Sequence, residues 1–317
     1  MPPADPPLED GRPRPLAVTG PTASGKSALA LALAERQGGW IINADALQVY
    51  RDLRIVSARP SAAEEARAPH RLFGVLDGAE RCSVDRWLGF ARDAIAEAEA
   101  AGARPILCGG TGLYLKAMED GLAAIPPVPA RIVAEEQARL QAEGTAAGLA
   151  RLAAADPETA DRLAPGDRQR ILRALAVLHA TGRSLASWQR GPAPGGRPLH
   201  WIVLLPPRDR LRIAVAERWQ AMLTAGALEE VRALLARGLD PTLPVMKAVG
   251  VAELAAVLAG ADSLETASRR AIDRTRQYLK RQTTWLRTQV LTGGRQVTLM
   301  AEKFSDVLRQ DVFNKIL

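Results

Sequence analysis

The sequence predicts an α/β fold: a parallel sheet interrupted by a helical insertion. Three observations lead there. In the first third of the chain, short apolar runs ending in Gly, Asn or Asp turns alternate with helical stretches. From Gly121 to about Trp188 the pattern is helical throughout. A Pro/Gly-rich stretch, RGPAPGGRP at 190–198, then leads into a new apolar run at 199–205.

Each element has a local reason. Residues 15–19 read as a short buried strand running into a Gly-rich turn, and 26–36 as the helix after it. A second strand at 40–42 ends in Asn43-Ala44-Asp45. Ser83 is a good N-cap for a helix reaching about Ala101, and Gly102 stops it. A third strand at 105–108 runs into Gly109-Gly110. After the strand at 199–205, helices are expected at about 208–237, 246–259 and 264–290. No internal repeat is visible, and residues beyond about 300 carry no signal.

Composition narrows the class. At 317 residues, 47% hydrophobic and 24% charged, the chain builds a core without a metal or disulfide staple. Aromatics are only 4%, so that core is mainly Ala, Leu, Val and Ile. Two cysteines, Cys82 and Cys108, with histidines scattered at 70, 179 and 200, form no zinc pattern and read as reduced thiols. No apolar run approaches the ~18 residues of a membrane span. The N-terminus is Pro-rich with acids and no apolar segment, hence a disordered leader and a cytoplasmic, membrane-free protein. The net charge is +7, with arginine outnumbering lysine 36 to 6. Such a balance favours a phosphate-rich partner.

Gly20-Pro21-Thr22-Ala23-Ser24-Gly25-Lys26-Ser27 matches the P-loop pattern between a predicted strand and a predicted helix. Its amides and the helix N-terminus would cradle phosphate oxygens. Lys26 would reach the terminal phosphates and the Ser27 hydroxyl would ligate magnesium. The third strand lacks the acid that a nucleotide hydrolase uses to hold its metal. The second strand does end in one, Asp45, at the ligand-facing edge of the sheet. It reads as a metal ligand, a general base or a loop cap. A P-loop kinase and a non-catalytic RNA binder with a relic P-loop are the rival readings.

Six segments, the P-loop among them, carry a resemblance: GPTASGKSALA (20–30), INADALQVYRDLRI (42–55), PHRLFGVLD (69–77), PILCGGTGLYLKAMEDGL (105–122), DRQRILRALAV (167–177) and TRQYLKRQTTWLR (275–287). In these the chain resembles the tRNA dimethylallyltransferase (isopentenyltransferase) family over about 14–290. The resemblance implies a P-loop NTPase-like core with a helical insertion. It implies transfer of a dimethylallyl group from dimethylallyl diphosphate to N6 of adenosine 37, beside the anticodon, in tRNAs reading codons that begin with U. It implies Mg2+, a tRNA anticodon stem-loop as partner and, as we read it, a monomer. The expected organisation is a leader at 1–13, a catalytic core at 14–120 and 196–300, a tRNA-binding insertion at 121–195 and a tail at 301–317.

By that resemblance Asp45 is the base, Thr111 bonds the oxygen joining prenyl to diphosphate, and Arg218 reaches the diphosphate. The tRNA-facing set is Asp45, Ala46, Leu47 and Gln48, Thr111, Arg131, and Gln169, Arg170, Ile171, Leu172 and Arg173. Gln48 also carries an amide suited to reading an adenine edge. The chain departs from the family pattern at Ala46, at Val56-Ser57-Ala58-Arg59-Pro60 and at Gly250-Val251-Ala252-Glu253.

The helix at 269–287 adds a reading of its own. Arg269, Arg276, Lys280 and Arg287 fall on one line and Arg270, Arg274 and Arg281 on a second, against one acid, Asp273. Ile272, Leu279 and Leu286 take the opposite side. Like charges at i,i+4 without acidic partners repel, so Arg276, Lys280 and Arg281 are expected to meet RNA. Tyr278 and Trp285 flank that face.

Overall fold

The structure, a computed structural model, describes residues 13–191, 193–302 and 304. Nearly all of the expected leader, and most of the tail, lie outside the described residues. The chain divides into two compact units: Met1–Glu119 with Pro198–Leu317, and Asp120–Arg197.

The first unit begins with β1 (Leu16–Thr19), α1 (Lys26–Gln37), β2 (Trp40–Asn43), α2 (Ala62–Glu65) and β3 (His70–Arg71). It continues with α3 (Val84–Ala100), β4 (Pro105–Gly109) and α4 (Gly112–Asp120). The six-stranded sheet, ordered β3-β2-β4-β1-β5-β6, is parallel throughout. β1 is central, with Leu16 opposite Ile106 on one side and His200 on the other. Its four residues are all buried, the unalternating pattern of a strand covered on both faces. The carboxyl ends of β2, β4 and β1 lie side by side, so the loops after them converge. The Ser83 side chain caps α3 as expected, accepting from the Arg86 N–H at 3.1 Å.

The second unit contains α5 (Ala130–Glu143), α6 (Thr145–Ala155), α7 (Pro157–Ala160), α8 (Arg168–Thr181) and α9 (Leu185–Trp188). Leu140, Leu152, Ile171, Ala174 and Leu175 form its core. Buried Glu136 is held by Arg151 at 2.9 Å and His179 at 3.0 Å.

The first unit resumes with β5 (His200–Leu204), α10 (Arg208–Thr224), α11 (Ala227–Ala236), α12 (Val251–Leu258), α13 (Leu264–Gln289) and β6 (Val297–Met300). Four expectations need correction. The single helix over 208–237 is two, broken where Gly226 takes φ 99°. The helix expected from 246 starts at Val251, after Gly250 at φ 105°. β3 and β6, both edge strands, were not expected. Phe304, in the expected tail, is buried in the core with Leu29 and Leu33.

Candidate functional site

The P-loop turns through left-handed backbone at Ala23 (φ 66°) and Gly25 (φ 90°) before α1 begins at Lys26. Gly20 must lack a side chain: a Cβ there would lie 2.7 Å from the Leu204 carbonyl and 2.6 Å from Ser24 Oγ. Two loop amides are already engaged. The Ser24 N–H donates to Pro21 O at 3.2 Å, and the Thr22 N–H to Gln282 Oε1 at 2.9 Å. The Thr22 and Ser24 amides are thus engaged within the protein.

Burial, and then the neighbouring Arg218 guanidinium, hold Lys26 below its ordinary value, while Cys108 and Asp45 oppose that. Burial likewise lowers Arg218. Two cations forced together in a desolvated place make a strong anion site. Beneath them, burial pushes the Cys108 thiol up to about 11.

Lys26, Ser27, Asp45, Ala46, Leu47, Gln48, Thr111 and Arg218 line one cleft of about 330 Å³. Its apolar wall is Val56, Val215, Trp219, Met222 and Val249, five residues that sequence reasoning missed. Val215, Trp219 and Met222 recur at i, i+4 and i+7 on one face of α10, while Val56 and Val249 come from two other segments, and no local pattern joins the three.

Asp45 is fixed by its own turn. Asn43 Oδ1 accepts the Asp45 N–H at 2.8 Å, and Asn43 Nδ2 donates to Asp45 O at 3.1 Å and Leu72 O at 3.0 Å. Asp45 Oδ1 accepts the Leu47 N–H at 2.9 Å. The turn before α4 is zipped to this one. The Thr111 N–H donates to Ala44 O at 3.2 Å, and a Cβ on Gly109 would collide with the Ala44 backbone. Thr111 Oγ1 accepts the Ala46 N–H.

Gln48 reaches the cleft, but its Nε2 donates to Ser57 O and Ala58 O, each at 2.9 Å. Both amide protons are thus used, and only Oε1 remains for a base, half of the expected reading. The Ser57 loop is itself fixed by Glu230, whose carboxylate accepts the N–H groups of Arg54, Ile55 and Val56.

No group of three or more His, Cys, Asp or Glu among the described residues could hold a metal. Ser27 presents an exposed hydroxyl beside the anion site. A single hydroxyl suits magnesium, which takes its other ligands from phosphate and water.

On α13, Leu279 and Leu286 are buried and Ile272 is half-buried, the docked side expected. The arginines are less free than expected. Arg274 pairs with Glu253 at 2.6 Å, Arg270 with Asp262 at 2.5 Å and Arg276 with Asp273 at 3.1 Å. Two of these acids lie before the helix, outside the i,i+4 window. Arg269, Lys280, Arg281 and Arg287 stay exposed, with no ion pair among the described residues. Tyr278 faces the cleft with Arg281 over its ring, and Trp285 packs against Gly112.

In the second unit Gln169, Arg170 and Arg173 are exposed, and Arg170 pairs with Asp167 at 3.3 Å. Ile171 is fully buried in that unit's core and Leu172 packs against it, so Ile171 cannot touch RNA. Arg131 is exposed, 3.9 Å from Glu135.

The parallel sheet, the phosphate loop and the shared cleft define a P-loop-type α/β enzyme. No helix among the described residues is long and apolar enough to cross a membrane. The chain belongs to the IPP transferase family, whose model matches residues 48–289. An isopentenyl transferase model also matches residues 15–75. A tRNA dimethylallyltransferase of Rhodospirillum rubrum is 57% identical over 279 residues, 87% of this chain and 85% of that one. One of Rhodospirillum centenum is 54% identical, covering 88% and 90%. Among solved structures, the tRNA isopentenylpyrophosphate transferase of Bacillus halodurans matches with TM-score 0.66 and 28% identity over 96% of each chain. A eukaryotic dimethylallyltransferase acting on tRNA, at 24% identity, shares the fold with TM-score 0.79, over 94% of this chain and 75% of that one.

Proposed function

We propose that this chain transfers the dimethylallyl group of dimethylallyl diphosphate to N6 of adenosine 37 in tRNAs reading codons that begin with U. The observation that carries the reading is one cleft lined by Lys26, Ser27 and Arg218 and also by Asp45 and Thr111. The relatives named above act on tRNA by their names, which supports the acceptor.

The adenine N6 is a weak nucleophile because its lone pair is delocalised, and diphosphate leaves well only if its charge is met. Lys26, Arg218 and the free P-loop amides meet that charge. The Thr111 hydroxyl donates to the oxygen joining prenyl to diphosphate. As N6 attacks the prenyl C1, the C–O bond breaks and diphosphate departs with the electron pair. Asp45 takes the proton that N6 releases. The Ser27 hydroxyl would hold magnesium, which would supply neutralisation of diphosphate charge. The apolar wall of Val215, Trp219 and Met222 shelters the prenyl group from water. The target base is flipped to reach the cleft, with Gln48 Oε1 positioned to accept from N6. Lys280, Arg281, Arg276 and the exposed Gln169, Arg170 and Arg173 meet the RNA backbone, with Arg131 as a further contact. The protein acts as a monomer in the cytoplasm.

The test is incubation with labelled dimethylallyl diphosphate, magnesium and either tRNA or AMP. Label entering tRNA at a single adenosine is expected. Label in AMP alone, or phosphate transfer from ATP with no prenyl incorporation, would overturn the reading.

A further inference from the structure

Gln282 lies on the docked side of α13, 7% exposed, and the chemistry above gives it no part. Its amide makes two bonds, one to each of two different loops. Oε1 accepts the Thr22 N–H at 2.9 Å, and Nε2 donates to Gly110 O at 3.1 Å. Thr22 belongs to the phosphate loop. Gly110 precedes Thr111 in the turn zipped to Ala44 and Ala46. Gly110 has no Cβ, and one there would collide with the Gln282 amide. The bonds join segments 260 and 172 residues away in sequence.

We infer that Gln282 is a positioning residue whose single amide sets the spacing between the phosphate loop and the Thr111–Asp45 pair. The inference rests on the proposed function for its catalytic readout. Leaving group and base must sit on opposite ends of one displacement, so an ångström of slack between their loops costs rate. Only a side chain with one acceptor and one donor on the same carbon holds both loops. A leucine holds neither. A glutamate holds both when protonated, and when ionised it loses the donor and faces the Gly110 carbonyl with negative charge.

The experiment compares the full chain with Gln282→Leu and Gln282→Glu. For Gln282→Leu, kcat should fall on the order of a hundredfold, with tRNA affinity within about threefold of wild type by filter binding. For Gln282→Glu, the activity ratio to wild type should rise toward one as pH falls, because the buried carboxyl regains its proton. Asp45, Lys26 and Arg218 around the cleft, and Tyr278 and Arg281 on the same helix, are present in both proteins, so their contributions cancel in that ratio. Pyrophosphate binding by calorimetry, without RNA, gives a second readout: Gln282→Glu should recover wild-type affinity at low pH and Gln282→Leu should not. A pH-independent ratio and affinity for Gln282→Glu, or a wild-type kcat for Gln282→Leu, would overturn the inference. Should wild type fail to prenylate tRNA while the pyrophosphate result holds, the reading of the reaction falls and the tie between the loops stands.

Discussion

Thr111 Oγ1 accepts the Ala46 backbone N–H at 2.9 Å, which consumes a lone pair and leaves the hydroxyl proton free to donate into the cleft. The bond is to backbone, so the departure from the family pattern at Ala46 does not alter it. Thr111→Val removes both functions, and single-turnover prenyl transfer should slow about 100-fold, as for loss of one transition-state donor. Thr111→Ser keeps the hydroxyl and should stay within a few-fold. Equal loss in both would argue for packing alone.

In the proposed reaction Asp45 accepts the proton from N6. Asp45→Asn keeps the turn, since an amide oxygen can still accept the Leu47 N–H, but it takes no proton. Turnover should fall about 10²- to 10⁴-fold. Pyrophosphate affinity should hold or improve, because a negative charge beside Lys26 is gone. Calorimetry and single-turnover rates separate the two, and parallel losses would defeat the assignment.

Lys26 gives a pH signature. Burial and Arg218 depress its value in the free protein, and a bound diphosphate raises it again. Anion binding is therefore strongest while Lys26 is protonated, and it weakens as pH rises through the depressed value. Lys26→Ala should bind pyrophosphate weakly at every pH and lose that part of the pH dependence. Titration calorimetry of the two proteins across pH gives the difference directly.

Cys108 should affect stability and not catalysis. Its folded value stands at about 11 against 9.0 for a free thiol. Between those values the folded protein keeps a proton that the unfolded chain releases, so stability falls as pH climbs through that window. The contribution is on the order of 2–3 kcal/mol. Denaturant melts of Cys108→Ala should show a shallower alkaline decline than wild type. An unchanged slope would mean the thiol is not the group responsible.

The cations of α13 divide into two kinds. Lys280→Ala and Arg281→Ala should each reduce the salt dependence of tRNA binding by a slope of about 0.7–0.9. Arg274→Ala should act mainly on stability, by about 1–3 kcal/mol, because it strips a partner from buried Glu253. Filter binding across salt concentrations and thermal melts distinguish these outcomes.

Local chemistry explains what could be read in advance. The P-loop, the strands over 16–19, 40–43 and 105–109 and the Ser83 cap each depend on residues within a few positions of one another. β3 has two residues and β6 follows a Gly-rich turn, so each is a strand only because a sheet edge offers it partners. The break at Gly226 hides inside a continuous helical pattern, since glycine lowers helix stability without forbidding it. Gln48 and Ile171 show the same limit within the site. Both residue types fit an RNA contact, yet carbonyls nine and ten residues away claim the Gln48 amide, and the second unit's core claims Ile171.

The sequence by itself determined the phosphate loop, the acid after the second strand, the Thr111 turn and the cationic helix, because each is a short run whose chemistry is complete locally. Tertiary structure decided which arginines are free, what walls the cleft and how its loops are held apart. Those depend on pairings such as Gln282 with Thr22 and Gly110, across 260 and 172 residues, which no neighbouring residue encodes.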